Sequence, residues 1–180
     1  MRYSFVPANA KGRFATLQDM IQAAAQEGKA IVPIAGDCME GMDIMDGGCV
    51  AVDFTHYPRP GRKENGKYID GDPCICYASP PAREDDEMER PPIIMCKQYT
   101  GVWIGHMVGT RYKQREGEWR MNAGFTAVAI LGVVYASWGS DGKLLWEVDP
   151  NSFPTELPNK ITVKGGNIDV DSAWKRVVVG

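Results

Sequence analysis

The chain has 180 residues, of which 44% are hydrophobic and 24% are charged, and its formal net charge is −3. These values are typical of a globular protein with one sizeable domain. The lack of a basic excess argues against direct DNA binding, and no apolar run reaches the ~20 residues of a membrane-spanning helix. Because the first residues also lack the apolar core of a secretory signal, we expect a cytoplasmic protein that does not associate with a membrane.

Residues 1–29 are predicted to form an N-terminal segment with one short helix. Thr16 and Asp19 have the spacing of a capping box at the start of a helix. The apolar residues that follow have helical spacing as far as Gly28: Leu17, Met20, Ile21, Ala24 and Ala25. A single short helix is not sufficient for a helix-turn-helix DNA-binding unit, which needs two or three packed helices.

From residue 30 onward the pattern predicts strands almost throughout. The predicted strands are 30–35, 49–53, 74–78, 93–99, 102–110, 119–121 and 126–135. Short strands separated by glycine and proline turns, without alternating helices, favour a mainly β fold, a sandwich or barrel-like sheet. The proline-rich, acidic residues 79–92 are predicted to form a solvated loop.

A C-terminal extension is predicted for residues 139–180. It carries weak strand signals at 143–148, 160–163 and 175–179, separated by prolines. We expect it either to pack on the domain or to mediate pairing between chains.

One of the five cysteines, Cys38, differs from the rest in its surroundings. Four cysteines stand among apolar residues and are predicted to be buried thiols in a reducing compartment: Cys49, Cys74, Cys76 and Cys96. The five do not fall into a metal-binding spacing, and we expect neither a metal nor another cofactor. Cys38 lies in a polar turn between two predicted strands, where a sheet can hold a reactive group in place. It is therefore the candidate nucleophile.

A nucleophilic cysteine needs a base, or a cation that stabilises its thiolate. Either of the two histidines, His56 and His106, could meet Cys38, but the pattern gives no evidence that one does. Lys97 lies in an apolar predicted strand, so it either extends to the surface or is held partly away from water. Desolvation favours the neutral amine of a lysine, which can accept a proton from a nucleophile. Lys97 is therefore the better candidate partner.

Residues 35–53 resemble the catalytic segment of the LexA-like peptidases, peptidase family S24. This family includes the SOS repressor, phage repressors and UmuD, and it is related to the type I signal peptidases. Its pattern is Gly-x-Ser-Met, a few residues, and then Gly-Ile-x-Asp-Gly-Asp. Four positions match the pattern, namely Met39, Ile44, Asp46 and Gly47. Three positions depart from it, since Cys38 replaces the serine, Asp43 replaces a glycine and Gly48 replaces the second aspartate.

The resemblance covers residues 30–138 and implies a LexA C-terminal-domain-like β-sheet fold that hydrolyses peptide bonds. Lys97 takes the place of the family's general-base lysine, which would act on Cys38. Asp37 and Met39 would support the turn and the oxyanion hole, while Asp46 and Gly47 would form a structural turn. The resemblance also implies a homodimer and a peptide or protein substrate.

Three hypotheses remain open for the function. Members of this family cut themselves in a hinge upstream of the serine and usually carry a DNA-binding domain before that hinge. Only 37 residues precede Cys38 in this sequence, which is too few for both. We therefore do not expect a self-cleaving repressor. The first hypothesis is a peptidase-like hydrolase, with the pair as thiol and amine or as thiolate and ammonium. The second is a non-catalytic binding or dimerisation module of a phage or mobile-element regulatory system. The third is a redox or modification site at Cys38.

Overall fold

The fold is described from a computed structural model for residues 6–7, 28–79, 93–104, 107–121, 127–157 and 161–163. Within these ranges the protein is mainly β, as the sequence predicts. The strands are β1 (Val6–Pro7), β2 (Lys29–Pro33), β3 (Cys49–Asp53), β4 (Arg62–Glu64), β5 (Lys67–Ile69), β6 (Pro73–Ser79), β7 (Ile93–Ile104), β8 (Met107–Tyr112), β9 (Arg120–Met121), β10 (Ala127–Trp138), β11 (Leu144–Glu147) and β12 (Ile161–Val163). Two short 3-10 helices span Glu40–Met42 and Pro150–Ser152. The predicted N-terminal helix lies outside the described residues.

One sheet of ten strands contains all these strands except β4 and β5. Its order is β1-β2-β3-β10-β6-β7-β8-β9, with β11 beside β10 and β12 beside β7. The strands along this order run antiparallel, whereas β12 runs parallel to β7. The strands β4 and β5 form a separate hairpin. Its turn residues Asn65 and Gly66 have positive φ angles of 51° and 76°, as an Asn-Gly hairpin turn requires.

Strand β7 is buried on both faces from Ile94 to Gly101. Such burial explains its nearly continuous apolar sequence, and it means that the polar side chains within it need partners. The Gln98 amide finds two of them, because it donates to the carbonyl of Gly71 at 3.1 Å and accepts from Arg111 Nε at 2.9 Å. Lys97 is the other buried group of this strand with a long polar side chain, at 5% exposure.

The hydrophobic core lies between β2, β3, β6 and β7 and extends to the segment that joins β2 to β3. Its buried members include Val32, Ile34, Cys38, Met39, Ile44, Val50, Val52, Ile75, Met95 and Tyr99. Cys38 and Met39 therefore sit at the edge of the core, although the sequence places them in a polar turn. The candidate nucleophile is 8% exposed.

Several strand boundaries differ from the prediction, and β10 ends at Trp138 rather than at residue 135. Strand β2 ends at Pro33, before the predicted end at residue 35, because Gly36 with φ 102° turns the chain away from the strand direction. The predicted strand 102–110 is divided between β7, which ends at Ile104, and β8, which begins at Met107. His106 lies between them, outside the described residues.

The described parts of residues 139–180 pair with the sheet of the same chain. Strand β11 pairs with β10, and β12 pairs with β7, so the strand predictions at 143–148 and 160–163 are confirmed. The prediction at 175–179 lies outside the described residues. Between β11 and β12, the Phe153 ring lies 4.9 Å from the guanidinium of Arg59, which also binds Asp72 at 2.8 Å. No helix in the described ranges is long and apolar enough to cross a membrane.

The carboxylate of Asp53 at the end of β3 is buried, and both of its oxygen atoms have polar partners. It accepts hydrogen bonds from Thr55 N and Oγ1 at 2.8 and 2.6 Å, and His56 Nδ1 lies 3.1 Å away. Burial alone would raise the pKa of Asp53, but the Thr55 hydrogen bonds and the contact with His56 outweigh it, so the pKa lies below its ordinary value. The ionised form is therefore the one that stabilises the fold.

Replacing Asp53 with asparagine should destabilise the protein at pH 7 by about 1–2 kcal/mol, because it weakens charge-assisted hydrogen bonds. A lowered folded-state pKa contributes stability that is present above the unfolded-state value, near 4. That contribution is lost as the pH falls through the folded-state pKa. Urea unfolding at pH 7, 5 and 3 should show the gap between parent and Asp53→Asn shrinking with acidification. The control is Asp70→Asn at an exposed position, and its free energy of unfolding should stay within about 0.5 kcal/mol of the parent at pH 7. A stability difference between the parent and Asp53→Asn that does not change with pH would contradict the prediction.

Candidate functional site

The segment that carries Cys38 is closed at its base by a turn. The Gly36 amide donates to Asp46 Oδ1 at 2.8 Å. Ile34 exchanges backbone hydrogen bonds with the glycine pair, since its carbonyl accepts from Gly47 N and its amide donates to Gly48 O, both at 2.9 Å. Gly47 adopts a φ of 78°. Asp46 and Gly47 thus lie where the sequence predicts a structural turn, and they tie the two ends of the segment together.

Within this segment, Cys38 lies in a turn two residues before the 3-10 helix Glu40–Met42, whose N-cap is Met39. The carbonyl of Met39 accepts from the amides of Met42 and Ile44 at 3.0 and 3.3 Å, and its side chain is buried at 1% exposure. The carboxylate of Asp37 accepts from Gln114 Nε2 at 3.2 Å. The two residues next to Cys38 are therefore anchored in opposite directions, Met39 into the core and Asp37 at the surface.

Three other parts of the chain hold the helix that follows Cys38. The Gly41 amide donates to Lys113 O at 2.8 Å, just after β8. The Ser137 hydroxyl of β10 donates to Asp43 O at 2.8 Å. The Trp146 indole of β11 donates to Met42 O at 3.1 Å. Because these contacts come from separate elements, the position of Cys38 depends on the whole sheet rather than on its own loop.

Replacing Trp146 with phenylalanine should cost about 1 kcal/mol in the free energy of unfolding, because a hydrogen bond to a helix carbonyl is lost while most of the packing remains. Urea unfolding measures this directly. The matched control is Leu144→Ala on the same strand, where the side chain is 50% exposed, and it should change stability by less than about 0.5 kcal/mol. Equal effects of the two substitutions would argue against the hydrogen bond as the cause.

Lys97 reaches Cys38 from β7, a strand of the same ten-stranded sheet that contains β2 and β3. Its place in β7 is set by antiparallel pairing with β6, in which it stands opposite Cys74. The side-chain nitrogen of Lys97, Nζ, donates to Cys38 Sγ at 2.9 Å, across 59 residues of sequence. The Tyr112 ring centroid lies 4.7 Å from the same Nζ. Of the two alternatives that the sequence leaves open for Lys97, the structure shows the buried one.

The arrangement brings a thiol and an amine into direct contact away from bulk water. The tyrosine ring presents its negative face to Lys97 Nζ and would stabilise a positive charge there. A thiolate at Cys38 would do the same from the other side. The contact thus suits either a neutral thiol–amine pair or a thiolate–ammonium pair, and in each case one proton is shared between sulfur and nitrogen.

The other cysteines have different surroundings. All five are free thiols, and Cys74 and Cys96 are completely buried, which raises the pKa of each thiol well above its ordinary value. Sγ of Cys74 donates to Lys97 O at 3.3 Å, and Sγ of Cys76 donates to Met95 O at 3.6 Å. These thiols are structural parts of the core. The prediction of full burial is wrong for Cys49, which is half-buried at the first position of β3.

Of the two histidine candidates, the described one, His56, contacts other residues. His56 Nδ1 lies against Asp53 and Thr55 at the end of β3, at 3.1 and 2.9 Å, and His106 lies outside the described residues. In the described ranges, no group of three His, Cys, Asp or Glu side chains could hold a metal ion. Three residues whose side chains contact the pair or the following helix from other strands are absent from the sequence predictions, namely Tyr112, Ser137 and Trp146. No local pattern marks them, since each is an ordinary strand residue.

One departure from the family pattern has a steric explanation. Gly48 stands where the pattern has its second aspartate, and a Cβ atom there would collide with the carbonyl oxygen of Trp138 on β10. A side chain at this position therefore does not fit between β10 and the turn. Comparisons of the chain with protein-family models, with curated proteins and with solved structures found no match.

Proposed function

We propose that the protein is a peptidase-like hydrolase in which Cys38 is the nucleophile and Lys97 its proton-transfer partner. The observation that carries the proposal is the 2.9 Å contact between Lys97 Nζ and Cys38 Sγ. A nucleophile needs an adjacent base or cation, and Lys97, at 5% exposure, holds its nitrogen beside the sulfur and away from bulk water. The contact joins the two residues that the family resemblance selects.

The proton balance of the reaction is the same for both charge states of the pair. From the neutral pair, Lys97 accepts the thiol proton as Cys38 Sγ attacks the peptide carbonyl. From the ion pair, the thiolate attacks directly and the ammonium already holds that proton. Either way Lys97 donates it to the leaving amine, which releases the first product and leaves a thioester on Cys38. The neutral Lys97 then accepts a proton from the water that hydrolyses the thioester.

The negative charge that develops on the carbonyl oxygen of the substrate needs hydrogen-bond donors that stabilise it. We assign this role to backbone amides of the turn that includes Asp37 and Met39, next to the nucleophile. A turn held by several elements supplies donors that do not reorganise during the reaction. Their positions relative to a substrate carbonyl stay a prediction.

The positions of Cys38 and Lys97 in the sheet also support a proposal about the fold. A mainly β domain with its nucleophile on the connection between β2 and β3, and its lysine on a buried strand, supports a LexA C-terminal-domain-like fold as our proposal. The homodimer and the peptide or protein substrate follow from that resemblance and belong to the same proposal, as does the cytoplasmic location that we expect from the sequence.

A second candidate function is a non-catalytic binding or dimerisation module of a phage or mobile-element regulatory system. The observation in its favour is that Cys38 is only 8% exposed, so a polypeptide substrate reaches the sulfur only if surrounding groups move. In that case the contact with Lys97 would serve packing alone.

The test is a cleavage assay on a peptide library and on unfolded proteins, with new N-termini identified by mass spectrometry. Cleavage by the parent that disappears in Cys38→Ala supports the hydrolase. Retention of some cleavage in Cys38→Ser, which restores the family's nucleophile, would support it further. Identical cleavage by the parent and Cys38→Ala would assign the activity to a contaminant, and an inert parent with an unreactive Cys38 would favour the binding module.

A further inference from the structure

The Cys38–Lys97 contact has a chemical consequence that does not depend on hydrolysis. A sulfur and an amine nitrogen 2.9 Å apart are close enough to bond after a small movement of two side chains. Both groups are mostly shielded, at 8% and 5% exposure. A thiol that is oxidised here therefore meets an amine sooner than it meets a thiol from solution.

We propose that Cys38 and Lys97 form a reversible sulfur–nitrogen cross-link when the protein meets hydrogen peroxide. In the first step the sulfur attacks the peroxide, which gives a sulfenic acid at Cys38 and one water molecule. In the second step Lys97 Nζ attacks that sulfur, the S–O bond breaks, and the oxygen leaves as a second water molecule with the proton released from nitrogen. The sulfur is oxidised by two electrons and the peroxide is reduced by two.

Sulfenic acids condense with thiols or with nitrogen nucleophiles, and the surroundings of Cys38 favour nitrogen. The buried thiols Cys74 and Cys96 keep their protons, because burial raises the pKa of each, and a protonated thiol is a poor nucleophile. Cys74 and Cys76 also direct their sulfur atoms to backbone carbonyls of β7. Lys97 is the group whose nitrogen already points at Cys38.

The cross-link would tie the segment between β2 and β3 to β7 and remove the free sulfur. Two molecules of a small thiol reverse it, because the first breaks the S–N bond and forms a mixed disulfide and the second reduces that disulfide. The products are the original thiol, the original amine and the oxidised small thiol. The inference rests on the contact that also underlies the proposed function, and it adds a regulatory state to that site.

The experiment treats the full chain with hydrogen peroxide, removes the oxidant with catalase, and blocks the remaining thiols with iodoacetamide before digestion and mass spectrometry. We expect a joined peptide that contains Cys38 and Lys97 and lacks two hydrogen atoms relative to the sum of its parts. Trypsin should no longer cut after Lys97, and dithiothreitol should restore both separate peptides.

Matched variants identify the partner. Lys97→Met should give no joined peptide, and its Cys38 should instead accumulate as sulfinic acid, because no amine traps the first product. Cys49→Ser removes a half-buried thiol and should form the cross-link as fully as the parent. Circular dichroism shows whether each variant is folded, and the parent result alone decides the proposal if Lys97→Met does not fold.

Several outcomes would overturn the inference. In the parent protein these outcomes are oxidation of Cys38 to sulfinic acid, a disulfide between Cys38 and another cysteine, and a joined peptide that retains an oxygen atom. A cross-link in a protein that cleaves no peptide would leave this inference standing and remove the proposed function. Peptide cleavage without any cross-link would do the reverse.

Discussion

Replacing Lys97 with methionine is expected to slow alkylation of Cys38 at pH 7 by about tenfold or more and to lower peptide cleavage by about 10²–10⁴-fold. Methionine keeps the length and the apolar part of the lysine side chain but removes the nitrogen that contacts Cys38 Sγ at 2.9 Å. The variant therefore loses the base or cation that Lys97 supplies for loss of the thiol proton. Iodoacetamide labelling followed by peptide mapping measures the rate at Cys38 separately from the rates of the other thiols.

The control for this prediction is Lys63→Met, which removes an exposed lysine from the β4–β5 hairpin and should leave the labelling rate unchanged. Lys97→Arg adds a second comparison, because it keeps a positive charge but gives a group that does not act as a base at neutral pH. Arginine should restore part of the labelling rate if the charge matters, and none of the cleavage if proton transfer matters. A Cys38 that reacts equally fast in the parent and in Lys97→Met would exclude the proposed pair.

The second large effect is expected at Gly48, where even alanine should destabilise the fold by about 2–4 kcal/mol. The added Cβ meets the Trp138 carbonyl oxygen, and it also lies 3.2 Å from Met45 O. Both contacts are with backbone, which yields less readily than a flexible side chain. Since Gly48 closes the turn that holds the Cys38 segment, the same substitution should also change the labelling rate at Cys38.

Urea unfolding of Gly48→Ala beside Gly117→Ala tests this reasoning. A Cβ at Gly117 has only ordinary contacts, of which the nearest is 3.5 Å, so this control should cost about 1 kcal/mol or less. Gly48→Asp introduces the aspartate found at this position in the pattern that the sequence resembles, and it should be at least as destabilising as alanine. A stable Gly48→Asp protein would show that β10 can move and that the steric explanation is wrong.

The strands were predictable because their signals are local. Cys49–Asp53 is an apolar run bounded by a glycine pair and a turn, and β3 has these same bounds. The Asn65-Gly66 turn and the strands β6 and β10 follow from similar signals. The prediction missed the division between β7 and β8, because a single glycine, Gly105, inside the apolar pattern from residue 102 to residue 108 is a weak turn signal.

The site was predictable only in part. The turn at Cys38 follows from its glycines, and Lys97 follows from a charge in an apolar strand. The burial of Cys38 was not predictable, because Asp37, Glu40 and Asp43 give its neighbourhood a polar composition. Its side chain nevertheless faces the core, since the Met39 side chain beside it packs there and three separate elements hold the following helix.

The sequence by itself determined the mainly β character, the position of Cys38 in a turn between two strands, and Lys97 as its candidate partner. These depend on short-range periodicity and on turn residues, which act within a few positions of the chain. The 2.9 Å contact between Cys38 and Lys97, the tyrosine ring beside it and the absence of room at Gly48 were decided by tertiary structure alone. Each joins positions that are far apart in sequence, and only the order and register of the strands in the sheet bring them together.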